Sequence, residues 1–417
     1  MFTSRRITTT GGDKFKDEFS LEFDGDNDYI DLGSQSGDLR LSGSDGAIVA
    51  WIKPALTGDE YQRIVDKSDG GNGTNGYALF VKKDGNLTGN ISGASKVVSP
   101  AGVVAANKWS HIVWTWNGTT HYIYVNGIEV QSNSSSTRPP SDTTNMRIGT
   151  WNHDVAREYK DKMSEVAIYN IALTASQVKT IYNGRESYNH KEGIAPSNLL
   201  GWWRMGDGRL DGGRERNSNL QSDDSSQDNI ISDEVDSTLG PELYTHANSL
   251  STNEADDQST GISAMASATL VDETSITNSS SRSLKYIATG NGQGVVVDLT
   301  SDVDLTPGEI YRISVDARHT GSGLNHTIRI CEHSGLSTTG ETLVMGVVSS
   351  GQTTFQTYVG YFIHNDTTTR YFGTRESGAD NDGGLYLDNL SIKKVNGNPG
   401  IINNINSVTF SGDTPWV

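Results

Sequence analysis

The sequence predicts an all-β protein made of two antiparallel β-sandwiches, with one short helix in the first. Short apolar runs alternate with turn residues along most of the 417 residues, 46 of which are glycine. Amphipathic runs of helical length are almost absent. A single hydrophobic core seldom organises more than about 250–300 residues, so a chain of this length is expected to form more than one domain.

The first sandwich is predicted over residues 17–206. Its opening stretch, FSLEFDGDNDYIDLG, alternates apolar and polar residues on both sides of an Asp/Asn/Gly turn, which is the pattern of a strand, a turn and a second strand. The run GAIVAWIKP is almost entirely apolar and ends at Pro54, as is typical of a strand covered on both faces. Asp84-Gly85 and Asn126-Gly127 are strong hairpin-turn signals.

One helix is predicted in the stretch LTASQVKTIYNG. Thr174 is placed to cap its N-terminus, and Gln177, three residues later, completes a capping box. Asn183-Gly184 is the expected end, since both residues tolerate the left-handed conformation that closes helices. The predicted packing stripe consists of Val178, Ile181 and Tyr182.

Composition divides the rest of the chain. Residues 1–16 are polar and basic and are predicted to form an N-terminal arm. Residues 207–240 are acidic and form a predicted spacer, the alternative being a loop that wraps around the first domain. A further series of strands with one apolar face predicts a second sandwich over residues 241–397. Residues 398–417 are left as a C-terminal tail.

Charge and cysteine content exclude several classes of partner. Acidic residues outnumber basic ones by 51 to 33, and the formal net charge of −18 makes a nucleic-acid partner unexpected. Neither a signal-peptide pattern nor an apolar stretch of about 18 residues is found, so we expect no membrane insertion and no general secretory export. Cys331 is the single cysteine, which excludes internal disulfides.

Six motifs of the first sandwich occur in the order SLEFDGDNDYIDLG, AWIKP, WSHIVWTWNG, YIYVNG, RIGTW and SEVAIYNIALTASQVKTIYNG. In this order they resemble the laminin G-like, concanavalin A-like lectin/glucanase superfamily over about residues 17–205. The resemblance implies a two-sheet antiparallel jelly roll, often with a calcium ion near one rim. The second sandwich more loosely resembles jelly-roll carbohydrate-binding modules that close on a strand such as LYLDNLSI. GWWRMGDG, an acidic spacer and such a module together also resemble modular structural proteins of tailed bacteriophages, notably marine ones.

The resemblance implies structural roles for several tryptophans. Trp51, Trp109 and Trp114 are expected to fill the space between the two sheets, where such rings bury large apolar areas. Trp116 stands beside the Asn117-Gly118 turn and is expected to be partly exposed.

A sugar site needs an exposed aromatic ring beside amide and carboxylate groups, because the ring stacks on the sugar while the polar groups bond its hydroxyls. The loop TWNHDVAREY and the stretch DGGNGTNGY have this composition. The alternative is that these side chains only decorate loops. The predicted carbohydrate contacts are Trp151, Asn152, His153, Asp154 and Tyr77.

Calcium is the predicted metal, since it prefers the oxygen ligands that Asp-rich turns supply. The stretch DGDND contains Asp24, Asp26 and Asp28, although Asp and Asn also favour such a hairpin without any metal. In the second sandwich the resemblance implies that Asp388 binds a structural calcium ion. The stretch ELYTHANSLS departs from Asn-Gly-Asp-Phe, the usual partner motif of those modules.

No catalytic role is predicted. The closest approach to a glycosidase motif, Glu234 and Asp236, lies in the acidic spacer and lacks the third carboxylate of the Glu-x-Asp-x-x-Glu motif of laminarinase-type relatives.

The predicted function is that of a bacteriophage virion structural protein, in a fibre, a decoration protein, the tail or the capsid, whose lectin-like modules bind host or environmental glycans. Lectin-type modules work outside cells, and a chain with neither export signal nor disulfide is expected to leave the cell inside a particle. Other virion proteins and further copies of the chain are the expected partners. The alternatives are a secreted, extracellular adhesive protein and a glycoside hydrolase. The apolar tail is predicted either to attach to a neighbouring subunit or to pack on its own domain.

Overall fold

The structure is a computed structural model, and parts of the chain lie outside its described residues. The arm of residues 1–16, most of the acidic spacer and residues 152–156 are among those parts. The described residues are 17–33, 38–69, 75–141, 144–151, 157–207, 230–231, 235, 239–243, 263–265, 268–273, 275–278, 283–288, 293–299, 303, 305–307, 309–321, 323–331, 342–364, 371–376, 383–403 and 409–416.

The first part of the chain is a series of short strands interrupted by a helix. Helix α1 spans Ala175–Tyr182, and short 3-10 turns occur at Asp38–Arg40, Asn183–Arg185 and Pro196–Asn198. The strands are β1 (Ser20–Asp24), β2 (Tyr29–Asp31), β3 (Gly46–Pro54), β4 (Tyr61–Ser68), β5 (Gly76–Lys82), β6 (Leu87–Ile91), β7 (Ala94–Val98), β8 (Ser110–Trp116), β9 (Thr120–Val125), β10 (Ile128–Ser134), β11 (Arg147–Ile148), β12 (Lys160–Tyr169) and β13 (Leu199–Trp203).

The second part of the chain continues as strands. These are β14 (Ile230–Ile231), β15 (Leu239–Glu242), β16 (Ser263–Met265), β17 (Thr269–Glu273), β18 (Ser283–Ala288), β19 (Gly294–Asp298), β20 (Ile310–His319), β21 (His326–Cys331), β22 (Thr342–Val348), β23 (Gln356–Ile363), β24 (Tyr371–Glu376), β25 (Gly383–Val395), β26 (Gly400–Asn403) and β27 (Thr409–Ser411).

The strands form four antiparallel sheets, which confirms the predicted all-β sandwich class. Sheet 1 has the order β10-β9-β8-β3-β12-β1-β27, with β13 also paired to β12, and sheet 2 has the order β14-β26-β2-β11-β4-β5-β6-β7. Sheet 3 has the order β17-β18-β25-β20-β23, with β15 on β25, and sheet 4 has the order β16-β19-β24-β21-β22. No helix among the described residues is long and apolar enough to cross a membrane.

Helix α1 begins and ends as its sequence predicts. The hydroxyl of Thr174 accepts a hydrogen bond from the backbone N–H of Gln177, and the side chain of Gln177 accepts one from the backbone N–H of Thr174. Asn183 ends the helix in the left-handed conformation, with φ of 48°. Val178 and Ile181 are buried against the outer face of sheet 1. The predicted capping box and packing stripe are therefore confirmed.

The alternation of β3 places Trp51 outside the inter-sheet core. Ile48 and Ile52 belong to that core, so the odd-numbered Trp51 points to the opposite face of sheet 1. There it stacks on Tyr182 of α1, with ring centroids 5.8 Å apart, and is 3% exposed. The prediction that Trp51 fills the space between the sheets was wrong, although the residue is buried.

Trp114 and Trp116 lie between the two sheets, whereas Trp109 does not belong to that core. Trp114 and Trp116 are fully buried in the inter-sheet core, and the indole N–H of Trp116 donates to the carbonyl of Ser44 at 3.0 Å. The expected partial exposure of Trp116 was therefore wrong, because a backbone carbonyl satisfies its single polar group. Trp109 is only half-buried, and its indole N–H donates to Asp413 at 2.9 Å.

The C-terminal segment returns to the first sandwich. β26 pairs with β2 in sheet 2, where Ile402 lies opposite Ile30 and is 3% exposed within the first core. β27 pairs with β1 in sheet 1, where Phe410 lies opposite Leu21. The strands that pair in sheets 3 and 4 thus occur in the chain between two parts of the first sandwich.

Part of the acidic spacer also contacts the first sandwich. β14 pairs with β26, and Ile231 is fully buried in the first core. Val235 packs against the cluster beneath α1. These described residues behave as the wrapping alternative requires. The tail also contacts the first sandwich: Ile402 lies in its core and Phe410 packs against that core.

Candidate functional site

The candidate site lies at the end of the β4–β5 pair. Tyr61 is directly opposite Lys82, and Arg63 is opposite Phe80. Residues two apart on a strand share a face, so these four side chains lie together. Val81, between Phe80 and Lys82, belongs to the inter-sheet core. The four side chains are therefore on the outer face of sheet 2.

An aromatic pair forms the base of this face. The side chain of Tyr61 is 40% exposed, whereas Phe80 is only 5% exposed. Their ring centroids are 5.8 Å apart at an interplanar angle of 77°, which is the edge-to-face arrangement that aromatic pairs prefer. The guanidinium of Arg63 covers the Phe80 ring at 4.2 Å from its centroid. Tyr61 thus remains the accessible ring of the pair.

Two further cations surround the Tyr61 ring. The ammonium of Lys82 lies 5.1 Å from the ring centroid and the guanidinium of Arg157 lies 5.6 Å from it. Arg157 also lies 3.9 Å from the ring centroid of Trp151, so this one side chain contacts both aromatic residues. A hydrogen bond from the Arg63 N–H to the Arg157 carbonyl, at 3.0 Å, ties the backbone of Arg157 to β4. We call Tyr61, Arg63, Phe80, Lys82, Trp151 and Arg157 the Tyr61 patch.

The structure describes two of the predicted carbohydrate contacts. Trp151 is half-buried and belongs to the Tyr61 patch. Residues Asn152, His153 and Asp154 lie outside the described residues. Their predicted contact with sugar stays a prediction.

Tyr77 was predicted to lie at the surface, and the structure places it in the core. It is fully buried, and its hydroxyl donates to the carbonyl of Leu39 at 2.7 Å. Tyr77 is in phase with Leu79 and Val81 along β5, so it points between the sheets. A sugar at the surface cannot stack on this ring.

The sequence contains a signal for Tyr61 in the strands rather than in the loops. Alternation along YQR on β4 and LFVK on β5 places Tyr61 and Lys82 on the face that is not in the core. The contact of Arg157 with both rings carries no such local signal, because Arg157 precedes β12 and reaches the patch only through the folding of the sandwich.

A pair of carboxyl groups lies beside Arg157 in the sequence. The backbone N–H of Glu158 donates to the carboxylate of Asp59 at 3.0 Å. Burial, together with the neighbouring carboxyl group of Asp59, raises the pKa of Glu158 to about 7.

The predicted calcium turn at Asp24, Asp26 and Asp28 is held together by its own hydrogen bonds. The carboxylate of Asp28 accepts the backbone N–H of Asp24, and that of Asp24 accepts the backbone N–H of Asp26, each at 2.7 Å. These are the bonds expected of an Asx-rich hairpin. Within the described part of the chain, no group of three or more His, Cys, Asp or Glu side chains is arranged to hold a metal ion.

Asp388 lies opposite Asp316 in the β20–β25 pair, and both residues are buried. The carboxylate of Asp388 accepts backbone N–H bonds from Asn278 and Asn389, at 2.9 and 2.8 Å. The carboxylate of Asp316 accepts bonds from both Asn side chains and from Thr357. The side chains of this cluster are all oxygen-bearing, which suits calcium. Asp316, Asp388, Asn278 and Asn389 are the residues that would hold the ion, which would neutralise two neighbouring carboxylates.

Part of the first sandwich is similar to a family of known proteins. Residues 24–179 match the family described as the Concanavalin A-like lectin/glucanases superfamily. This range runs from the end of β1 into α1 and includes the whole Tyr61 patch. Residues 24–179 of the first sandwich are therefore similar to this superfamily.

Solved structures with similarity to parts of the chain include carbohydrate-binding proteins. A putative carbohydrate binding protein from Bacteroides ovatus is 17% identical over 52% of this chain and 56% of its own length, with a TM-score of 0.38. The CBM22-1 xylan-binding domain from Paenibacillus barcinonensis is 12% identical over 38% of this chain and 96% of its own, with a TM-score of 0.28. The CBM40 of a Ruminococcus gnavus sialidase is 12% identical over 39% of this chain and 96% of its own, with a TM-score of 0.34. A search of curated proteins finds no match.

Proposed function

We propose that the protein is a non-enzymatic glycan-binding protein and that its first sandwich contacts sugar through the Tyr61 patch. The observation that carries the proposal is the exposed ring of Tyr61, surrounded by the charged donors of Lys82 and Arg157. A ring of this kind stacks on the CH face of a sugar, and neighbouring donors bond its hydroxyls.

The aromatic side chains of the Tyr61 patch are held in place by their neighbours. Phe80 supports Tyr61 from one side, and both residues lie on strands in the middle of sheet 2 rather than on a long loop. Little side-chain freedom then remains to be lost when a ligand arrives, which favours affinity. Trp151 extends the aromatic surface beyond Arg157. We include Asn152, His153 and Asp154 in the proposed contact because they follow Trp151 directly in the sequence.

The test is a glycan array followed by titration calorimetry on the best glycan. Tyr61→Ala is expected to lower the affinity at least tenfold, whereas Tyr61→Phe keeps the ring and most of the affinity. Ile128→Ala is the matched control, since Ile128 is another exposed apolar residue of the first sandwich, at 68%. Unchanged binding by Tyr61→Ala would exclude the patch. Absence of binding to every glycan would overturn the proposed function.

We further propose that the protein works on a virion, together with other virion proteins and further copies of itself, the alternative setting being extracellular. Support comes from the sequence: GWWRMGDG, the acidic spacer and the second module together resemble modular structural proteins of tailed bacteriophages, and a single cysteine fits assembly under reducing conditions. Mass spectrometry of gradient-purified particles tests this setting, and sedimentation of the purified chain tests self-association. Recovery of the protein only in the particle-free fraction would contradict the virion setting.

A further inference from the structure

Three cations converge on the Tyr61 patch in a protein whose formal net charge is −18. Arg63 and Lys82 come from neighbouring strands, and Arg157 comes from the segment before β12. Among the described residues, only Arg63 of these three has a carboxylate within ion-pair distance, that of Asp66 at 2.8 Å. The patch therefore carries more positive charge than its described carboxylate partners neutralise.

Arg63 has a buried hydrogen-bond donor that no acceptor among the described residues pairs with. The residue is 6% exposed, and within the described part of the chain its Nη1 has no hydrogen-bond partner. Burial lowers the pKa of Arg63, Asp66 opposes this effect, and the nearby charge of Arg157 lowers the pKa further. A buried donor without an acceptor and two neighbouring guanidinium groups are both unfavourable arrangements, and an anion bound at the patch would relieve the repulsion between the two guanidinium groups.

The carboxyl groups next to Arg157 cancel only part of this charge. Glu158 follows Arg157 in the sequence, and its backbone N–H donates to Asp59 at 3.0 Å. Burial and the neighbouring carboxyl group of Asp59 raise the pKa of Glu158 to about 7, so Glu158 is only partly ionised near neutral pH. Arg157 and Lys82 at the surface are thus left to contact a ligand, with Arg63 behind them adding positive potential at short range.

We propose that Arg63, Lys82 and Arg157 form the anion-recognition subsite of the Tyr61 patch, and that the bound glycan carries a carboxylate or a sulfate ester next to the sugar that stacks on Tyr61. This inference rests on the proposed function, because it specifies the glycan class for the same site. A planar guanidinium can donate two parallel hydrogen bonds to either group, and the more compact ammonium of Lys82 adds a point charge.

Calorimetric titrations of the full chain with four oligosaccharides test the inference. These are oligogalacturonate, its methyl ester, a sulfated carrageenan oligosaccharide and the desulfated form of that oligosaccharide. Removing the charge from a ligand is expected to lower its affinity about tenfold or more. The carboxylate and sulfate pairs distinguish the two sources of negative charge. Affinity for the preferred anionic ligand is also expected to fall as salt rises.

Substitutions at the Tyr61 patch test whether the preference for charged ligands arises there. Arg157→Gln and Lys82→Gln are each expected to lower the affinity for the anionic oligosaccharide about fivefold or more while leaving that for the neutral one nearly unchanged. Lys179→Gln, an equal charge change at an exposed position of α1, is the control and is expected to have little effect. Unfolding curves confirm that each variant is folded. Arg63 is left intact because it is buried.

Three results would overturn the inference, and they are distinguishable. Equal affinity for the charged and neutral members of both pairs refutes the anion subsite but leaves glycan binding intact. Equal losses of affinity in Lys179→Gln and Arg157→Gln would show that the affinity depends only on the overall charge of the protein. No binding of any oligosaccharide here or on the glycan array refutes the proposed function as well.

Discussion

Trp416, next to the last residue of the chain, packs edge-on against Trp51 of β3, with ring centroids 5.1 Å apart and ring planes at 75°. Three polar contacts of Asp413 hold the same segment: ion pairs with Lys53 and Lys162 and a hydrogen bond from the indole of Trp109. The carbonyl of Pro415 accepts a further bond from Arg185. The end of the chain is thus part of the first sandwich.

Trp416→Ala is expected to destabilise the first sandwich by about 1–3 kcal/mol, less than for a fully buried tryptophan because Trp416 is only half-buried. Chemical denaturation followed by tryptophan fluorescence measures the change. Ile128→Ala, at an exposed position, serves as the control and is expected to stay within about 0.5 kcal/mol of the wild type. Equal stability of Trp416→Ala and the wild type would show that the contact with Trp51 contributes nothing.

Cutting the chain in the acidic spacer is expected to leave the two pieces associated. β26 and β27 stay paired with β2 and β1, so the piece that carries the second sandwich remains bound to the first. A protease site inserted between Asn217 and Ser218 and gel filtration after cleavage test this expectation. The same cut in a chain that lacks residues 400–417 is the control, and its pieces are expected to separate. Separation of the pieces in the full chain would contradict the pairing.

Stability is expected to fall below about pH 6.5 because of three buried histidines. Burial lowers the pKa of His111, His190 and His326 to about 3. The unfolded chain takes up these protons near pH 6.5, so the histidine contribution is complete above that pH and is lost as the pH falls, at about 1.4 kcal/mol per pH unit for each residue. Urea unfolding at pH 7.5 and 5.5 measures the change.

The substitution His190→Gln measures the contribution of His190 to this pH dependence separately from those of the other buried histidines. Gln keeps a partner for the hydroxyl of Tyr169, which contacts His190 at 2.7 Å, but it does not titrate. The variant is expected to lose about a third of the histidine-dependent decline between pH 6.5 and 5.5, because His111 and His326 still titrate. An unchanged pH dependence would show that His190 takes up its proton equally well in the folded protein.

Glu158→Gln is expected to stabilise the protein at neutral and alkaline pH. The pKa of Glu158 is raised to about 7, so its contribution is complete below the unfolded-state pKa near 4.3 and is lost as the pH rises through 7. Gln keeps the size of the side chain without the charge, and a gain of about 1–3 kcal/mol at pH 8 is expected, with none at pH 4. Denaturation curves at both pH values test this, with exposed Glu192→Gln as the control. A gain that is the same at pH 4 and pH 8 would contradict the assignment.

Calcium stays a proposal for the cluster around Asp388, and removal of the metal tests it. A chelator is expected to lower the unfolding temperature of the second sandwich, and added calcium to restore it, because an ion bound only to the folded state stabilises that state. Asp388→Asn is expected to abolish the calcium response. Asp298→Asn, at a half-buried position of β19, is the control. An equal response to calcium in Asp388→Asn and the wild type would place the ion elsewhere.

Local features of this protein were predictable from the sequence. The capping box of Thr174 and Gln177 closes over four residues, and the left-handed Asn183 ends the helix without help from distant parts of the chain. The all-β class follows from alternation, which depends only on the two-residue period of a strand. The period by itself does not say which face is buried, and this is why Tyr77 was placed at the surface while it lies in the core.

The candidate site and the course of the chain were decided by the tertiary structure. Arg157 meets Tyr61 and Trp151 only when β4, β11 and β12 have been brought together, and Ile402 enters the first core only when β26 pairs with β2. The sequence by itself determined the strand class, the helix ends and the lectin-like motifs, because neighbouring residues specify those. Only the tertiary structure decided which cations meet on the outer face of sheet 2 and where the C-terminal strands pair. Burial of apolar side chains such as Ile402 and Phe410 is favourable against any surface that fits them, however distant that surface is along the chain.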